Sequence, residues 1–159
     1  MAEPDHETVS NTDDNWSETT TLKASDGHRI HARLSIPGGE HQGCIQIVHG
    51  LGEHSGRYAR FARAAAERGF LVIIHDHRGH GGHAEQAAYF ADRKGWERLV
   101  EDTLTVHRYC RERYPSLPIT MLGHSMGSFV AQNFAMLHGD RLAALIVSAS
   151  TWPNRLELV

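Results

Sequence analysis

Three stretches of this sequence hold residue types that do chemistry together, and each follows an apolar run. Gly123-His124-Ser125-Met126-Gly127 follows Ile119–Leu122 and precedes a helix-like stretch, Ser128–Leu137. A G-x-S-x-G pentapeptide between a strand and a helix turns the chain so sharply that the serine hydroxyl stands exposed at the end of a sheet, placed to act as a nucleophile. Glycine at 123 and 127 suits a point where strand and helix backbones pass too close for side chains, and the serine between them must take a strained conformation. Met126 is expected at a helix N-terminus, with its N–H free of any intrahelical acceptor. His124 is adjacent to the serine, but so tight a turn directs it elsewhere, which makes it a poor base.

The second stretch, His49-Gly50-Leu51-Gly52-Glu53-His54-Ser55-Gly56-Arg57-Tyr58, follows the apolar run Cys44–Val48. A glycine-rich turn there can present backbone N–H groups beside the serine. Acyl transfer needs such donors, because its tetrahedral intermediate concentrates negative charge on one oxygen. The same residues also suit an ordinary loop leading into a helix. The third stretch, His75-Asp76-His77-Arg78-Gly79-His80-Gly81-Gly82-His83, follows Phe70–Ile74. Its histidines and aspartate are zinc-ligand types. However, no helical i, i+4 pair and no cysteine-rich partner accompanies them, and an arginine in their midst is a poor neighbour for a cation. The better expectation is that Asp76 and Arg78 brace the loop by hydrogen bonds and that no metal binds. His49 and His80, on neighbouring loops, are weak candidates for a base.

The elements that must position these stretches follow from periodicity. Thr19–Ala24, the turn Ser25-Asp26-Gly27 and the alternating run Arg29–Ile36 predict an antiparallel hairpin, ended by Pro37-Gly38-Gly39. Four near-continuous apolar runs come next: Cys44–Val48, Phe70–Ile74, Ile119–Leu122 and Leu142–Val147. Runs of this kind, separated by helical segments, predict parallel strands buried on both faces. Tyr58, Phe61, Ala62, Ala65 and Ala66 form one helical stripe. Trp96, Leu99, Val100, Thr103, Leu104, His107 and Cys110 form a second, and Phe129, Val130, Phe134 and Leu137 a third; all three are assigned to the core. The fold class is therefore α/β: a leading hairpin and a doubly wound, mostly parallel sheet with helices on both faces. Ligands of such sheets bind at the carboxyl ends of the parallel strands, where each of the three stretches falls.

Composition narrows the function classes. The chain has 159 residues, 40% of them apolar and 22% charged, enough for one domain with a core. A net charge of -3 gives no basic footprint for nucleic acid and no polybasic membrane anchor. Cys44 and Cys110, each within an apolar pattern, suggest small buried side chains in a reducing compartment and not a disulfide framework. The acidic residues 1–17 lack apolar periodicity and a secretory h-region, which predicts a disordered tail and a cytoplasmic protein. No apolar run is long enough for a membrane span, which leaves only transient membrane contact; the oligomeric state is open.

Taken together, HGLGEHSGRY, DHRGHG and GHSMGS, in that order and spacing, resemble the monoacylglycerol lipase and lysophospholipase group of the α/β-hydrolase fold, over about Thr19–Thr151. The resemblance implies a serine esterase that acts on small-molecule or lipid esters of monoacylglycerol or lysophospholipid type and uses no cofactor. It implies Ser125 as nucleophile and the backbone N–H groups of Leu51 and Met126 as the oxyanion hole. His49, Gly50, Gly123, His124, Gly127, Asp76 and Arg78 would support that hole. In this fold the acid and the histidine base follow the serine along the chain. Here only His138, Asp140 and Glu157 do, all poorly placed. The expectation is that residues 18–159 are the N-terminal part of a single hydrolase domain, cut before the lid and C-terminal strands. Such a fragment would expose the flank of the Leu142–Val147 strand, would be unstable or oligomeric, and would have little esterase activity. A peptidase or other hydrolase on the same fold, or a non-catalytic scaffold lacking the triad, are the alternatives.

Overall fold

Thr20, Leu22, Ile30, Ala32 and Leu34 are all buried, and the residues between them are more exposed. That period-2 pattern makes Glu18–Lys23 (β2) and Arg29–Ser35 (β3) an antiparallel pair in register Thr20↔Ala32 and Leu22↔Ile30. The computed structural model describes residues 7–9 and 16–151. Within them Glu7–Val9 (β1), Gly43–Val48 (β4), Phe70–His75 (β5), Ile119–His124 (β6) and Ala144–Ser148 (β7) complete a sheet of order β1-β2-β3-β5-β4-β6-β7. β1, β2, β3 and β5 pair antiparallel in succession, and β5, β4, β6 and β7 form a parallel block.

The helices are Ala59–Ala66 (α1), Gly95–Arg113 (α2) and Met126–His138 (α3). A right-handed crossover from β4 to β5 puts α1 on one face. The next connection runs back across β4 to β6, so the same handedness puts α2 on the opposite face, where α3 joins it. The core is divided accordingly. Trp16, Ile47, Ala62, Ala65, Val72 and Ile74 pack on the α1 side. Leu71, Ile73, Cys44, Val106, Cys110 and Ile119 pack under α2, and Val48, Leu99, Met121, Val130, Ala131 and Phe134 between α2, α3 and the sheet. Because strand order reverses at β4, the carboxyl ends of β4 and β6 flank the switch point of the sheet. The register Val48↔Gly123 sets those ends level.

Several details depart from the sequence pattern. Glu7–Val9 pairs with β2 and Trp16 is buried, so these residues of the acidic segment belong to the sheet and its core; residues 1–6 and 10–15, with the rest of the expected disordered tail, lie outside the described residues. β7 starts at Ala144 because Gly139–Arg141 winds into a 3-10 turn closed by Leu142 N–H on Gly139 O. Phe61, Trp96, Phe129 and Leu137 are exposed although their spacing assigns them to the core. Each helix touches the sheet along a stripe narrower than its apolar content, such as Val130, Ala131 and Phe134 in α3. Leu145, Ile146 and Val147 of β7 are also exposed, and β7 pairs only with β6 among the described residues.

Gln46 interrupts the apolar run of β4 for a physical reason. Fully buried under α2, it donates from Nε2 to Thr103 O (2.9 Å), and its Oε1 accepts from His107 Nδ1 (3.0 Å). Gln46→Leu keeps the volume but strands the His107 N–H. The expected result is a loss of about 1–3 kcal/mol in urea-unfolding free energy, with the fold retained.

Candidate active site

Ser125 sits between the last residue of β6 and the first of α3 with φ 51° and ψ -123°. A non-glycine residue in that conformation is strained, and such strain is held only where the surroundings over-determine it. They do so here through close backbone approach. A Cβ on Gly123 would lie 2.7 Å from both Ala131 Cβ and Ser128 Cα, and one on Gly127 would overlap the carbonyl oxygens of Val48 and His49. Gly123 thus lets α3 pack on its own strand, and Gly127 lets it pack on the neighbouring one. Ser125 N–H donates to Ser148 O (2.9 Å) and Ser125 O accepts from Ser128 N–H (2.9 Å), which pins the turn to β7 and to the first turn of α3. Met126 follows at the helix N-terminus.

The loop after β4 is brought against this turn. A Cβ on Gly50 would meet Ser125 Cβ at 3.0 Å and His124 O at 3.4 Å, so the backbone at Gly50 borders the serine directly. Leu51, 60% exposed, stands beyond it, beside a cavity of about 440 Å³ walled also by Glu53, His54 and His80. Glu53 holds the loop: its Oε2 accepts from Gly50 N–H and from Tyr58 O–H, both at 2.8 Å. Burial pushes the Glu53 carboxyl up, but those two donors outweigh it and its pKa is lowered.

Beneath the loop lies a set of interlocked histidines. His77 N–H donates to His49 Nε2 (3.0 Å), so the His49 proton is on Nδ1 and is donated to Gly50 O (2.8 Å). His77 returns the contact from Nε2 to His49 O (3.1 Å). Gly52 N–H donates to His80 Nε2 (3.0 Å), which leaves His80 Nδ1 to donate to Arg78 O (2.9 Å). Burial drives the pKa of His49 and His77 down, and that of fully buried His75 to about 3, so all three are neutral. Both ring nitrogens of His49 are engaged within the loops, and His124 Nδ1 meets Ser148 Oγ at 3.2 Å. Neither histidine makes a hydrogen bond to Ser125. No cluster of three or more metal-ligand side chains occurs among the described residues.

Asp76 and Arg78 tie this loop to three other elements. Asp76 Oδ1 accepts from Ser55 N–H (2.6 Å), which joins the two loops. Buried Arg78 makes a bidentate pair with Asp102 of α2 (Nε 2.7 Å, Nη2 2.9 Å). A second pair joins it to Asp26 at the tip of the β2-β3 hairpin (Nη1 2.6 Å, Nη2 2.9 Å). The guanidinium holds the Asp26 carboxyl well below the usual range. At Asp102 burial outweighs the guanidinium and the pKa is raised. Sequence reasoning singled out none of Glu53, Asp26 and Asp102. The one available signal was Asp102, an acid beside Leu99, Val100 and Thr103 on the buried side of α2, which needs a cationic partner.

A central parallel block with helices on both faces, a strained serine turn after β6 and a histidine-glycine loop after β4 define an α/β-hydrolase. The chain belongs to the hydrolase family described as serine aminopeptidase, S33, whose profile matches residues 39–157. It is 37% identical to human monoglyceride lipase over 116 residues, which cover 73% of this chain and 37% of that protein. It is 31% identical to the monoacylglycerol lipase of Mycolicibacterium smegmatis over 122 residues, 77% of this chain and 42% of that one. In structure it matches a thermostable carboxyl esterase from Bacillus coagulans with a TM-score of 0.73 at 32% identity, covering 92% of this chain and 44% of the esterase. The chain thus spans about two fifths of the length of these relatives.

Proposed function

We propose that this chain carries the nucleophile and oxyanion hole of a carboxylic ester hydrolase acting on monoacylglycerol or lysophospholipid esters. The observation that carries the proposal is Ser125 itself, strained at φ 51° and bordered by the Gly50 backbone. In this reading Ser125 Oγ attacks the ester carbonyl and forms an acyl-enzyme, which water then hydrolyses. The N–H groups of Leu51 and Met126 stabilise the oxyanion, and a donor of this kind typically contributes about 3–4 kcal/mol to the transition state. His49, Gly50, Asp76 and Arg78 hold the loops that present those donors. Exposed Leu51, next in the chain to Gly50, supplies apolar surface that suits an acyl chain. No helix among the described residues is long and apolar enough to cross a membrane.

Attack by Ser125 needs a base and an orienting acid, and no described histidine is hydrogen-bonded to it. We place both outside the described residues. By itself the 159-residue chain is then expected to turn over p-nitrophenyl esters poorly. In a protein extended to the length of its relatives, a fluorophosphonate probe is expected to label Ser125, and Ser125→Ala to abolish the label. A label that survives Ser125→Ala sinks the assignment, and an extended protein that takes none is a scaffold. The family description favours a peptidase as the second reading. Faster cleavage of an aminoacyl p-nitroanilide than of a monoacylglycerol would establish it.

A further inference from the structure

Cys44 of β4 and Cys110, one turn from the end of α2, are the two cysteines of the chain, and neither belongs to the serine site. Sixty-six positions apart in sequence, they meet in the core with Sγ atoms 3.1 Å apart, among Leu34, Leu71, Ile73, Val106 and Ile119. Both are free thiols in this structure. We propose that they form a reversible disulfide, a redox-controlled staple between β4 and α2.

The geometry requires little movement, since a disulfide needs a further approach of about 1 Å. Cys110 is the attacking partner. In the Sγ–Sγ contact either thiol can donate; that contact and the cations of Arg111 and Arg113 lower the Cys110 pKa, whereas the contact and burial raise that of Cys44. Cys110 is buried in the last turn of α2, which is held by Arg113 on Glu18 and by Tyr114 N–H on Cys110 O, so oxidation requires a local opening of that turn while the rest of the helix stays packed. The Cys110 thiolate attacks a small-molecule disulfide such as glutathione disulfide, forming a mixed disulfide and releasing one thiolate. The Cys44 thiolate then attacks Cys110 Sγ and releases the second. Two thiols are oxidised, one external disulfide is reduced to two thiols, and the two protons pass to the released thiolates.

The bond would close a loop holding α1, β5, the histidine loop and most of α2, the scaffold of the site apart from the Ser125 turn. It would therefore restrict the unfolded chain strongly. This holds whatever reaction Ser125 performs.

To test it, the reduced chain is incubated folded at neutral pH with glutathione disulfide, unfolded in N-ethylmaleimide and weighed intact. The expected species has lost two hydrogens and carries no maleimide. Its digest joins the peptides containing residues 44 and 110, and its Tm is higher by on the order of 5 °C or more, a rise that dithiothreitol reverses. Cys110→Ser is expected to show no Tm rise under the same oxidant. Should that variant misfold, mapping of the unsubstituted chain decides alone. Two maleimides per chain, glutathione adducts without the link, or links only between chains would each overturn the proposal. A linked chain with unchanged Tm would overturn the staple.

Discussion

Gly127→Ala is expected to leave the protein unable to reach its native fold. The added Cβ falls on the carbonyl oxygens of Val48 and His49, which are backbone atoms and cannot rotate away. Val48 lies in the ladder with β6, and His49 O accepts from His77 Nε2, so retreat of either breaks the loop arrangement at the site. The other response is for α3 to lift from the sheet, which draws Val130, Ala131 and Phe134 out of the core. Overpacking a core with side-chain atoms typically costs about 1–3 kcal/mol. Overlap of a Cβ with fixed backbone exceeds that range and approaches the roughly 5–15 kcal/mol that holds a domain together. Gly139→Ala is the control, because a Cβ there meets nothing within 4 Å and the residue is already helical, with φ -63°. Its expected Tm is unchanged or slightly raised. Soluble yield, far-UV circular dichroism and Tm of the two variants decide the matter. A Gly127→Ala protein with a native spectrum and a Tm within a few degrees would show that the helix has room the structure denies.

This contrast also marks what the sequence can and cannot convey. Gly123, Ser125 and Gly127 are legible because their constraint is local: five residues must connect a strand to a helix at one tight turn. The strands β4, β5 and β6 are legible for a similar reason, since burial on both faces leaves an unbroken apolar run. What those glycines touch is not legible. Gly127 packs against the carbonyls of a strand some eighty positions earlier, and only the strand order brings them together. The same holds for Arg78. A bracing arginine was inferable from its place in the histidine loop, but its partners Asp26 and Asp102 lie 52 and 24 positions away. Exposed Phe61, Trp96, Phe129 and Leu137 show the converse error, because helical spacing reveals that a face is apolar and not what lies opposite it. β1 escaped notice because three paired residues in an acidic segment are too few to show a period.

Acid is expected to unfold the protein well above the range in which carboxylates titrate, because its core encloses neutral histidines. His75 and His107 are fully buried, and burial brings their pKa to about 3 and about 4. In the unfolded chain both titrate near about 6.5. Below that pH the unfolded state binds protons that the folded state refuses, so the stability they permit is present in full above about pH 6.5 and falls as pH drops toward the folded values. Each group contributes a slope of up to about 1.4 kcal/mol per pH unit, and the pair removes about 3 kcal/mol between pH 6.5 and 5. His49 and His77, lowered by burial in the same way, add to the loss. Asp102 works in the opposite sense, since its raised pKa favours the folded state on protonation, but only nearer the carboxylate range. Urea-unfolding free energies measured from pH 7.5 to 5 are therefore expected to fall steeply below pH 6.5. His75 identifies the source: neither ring nitrogen has a hydrogen-bond partner among the described residues, so His75→Leu sacrifices no bond there and removes one titration. That variant is expected to be the more stable protein at pH 5 and to lose about 1.4 kcal/mol per pH unit from the slope. A slope unaltered by His75→Leu would mean that the ring takes up its proton alike in the folded and unfolded chain, with the adjacent Asp76 carboxylate, which already acts to raise the His75 pKa, as its counter-charge.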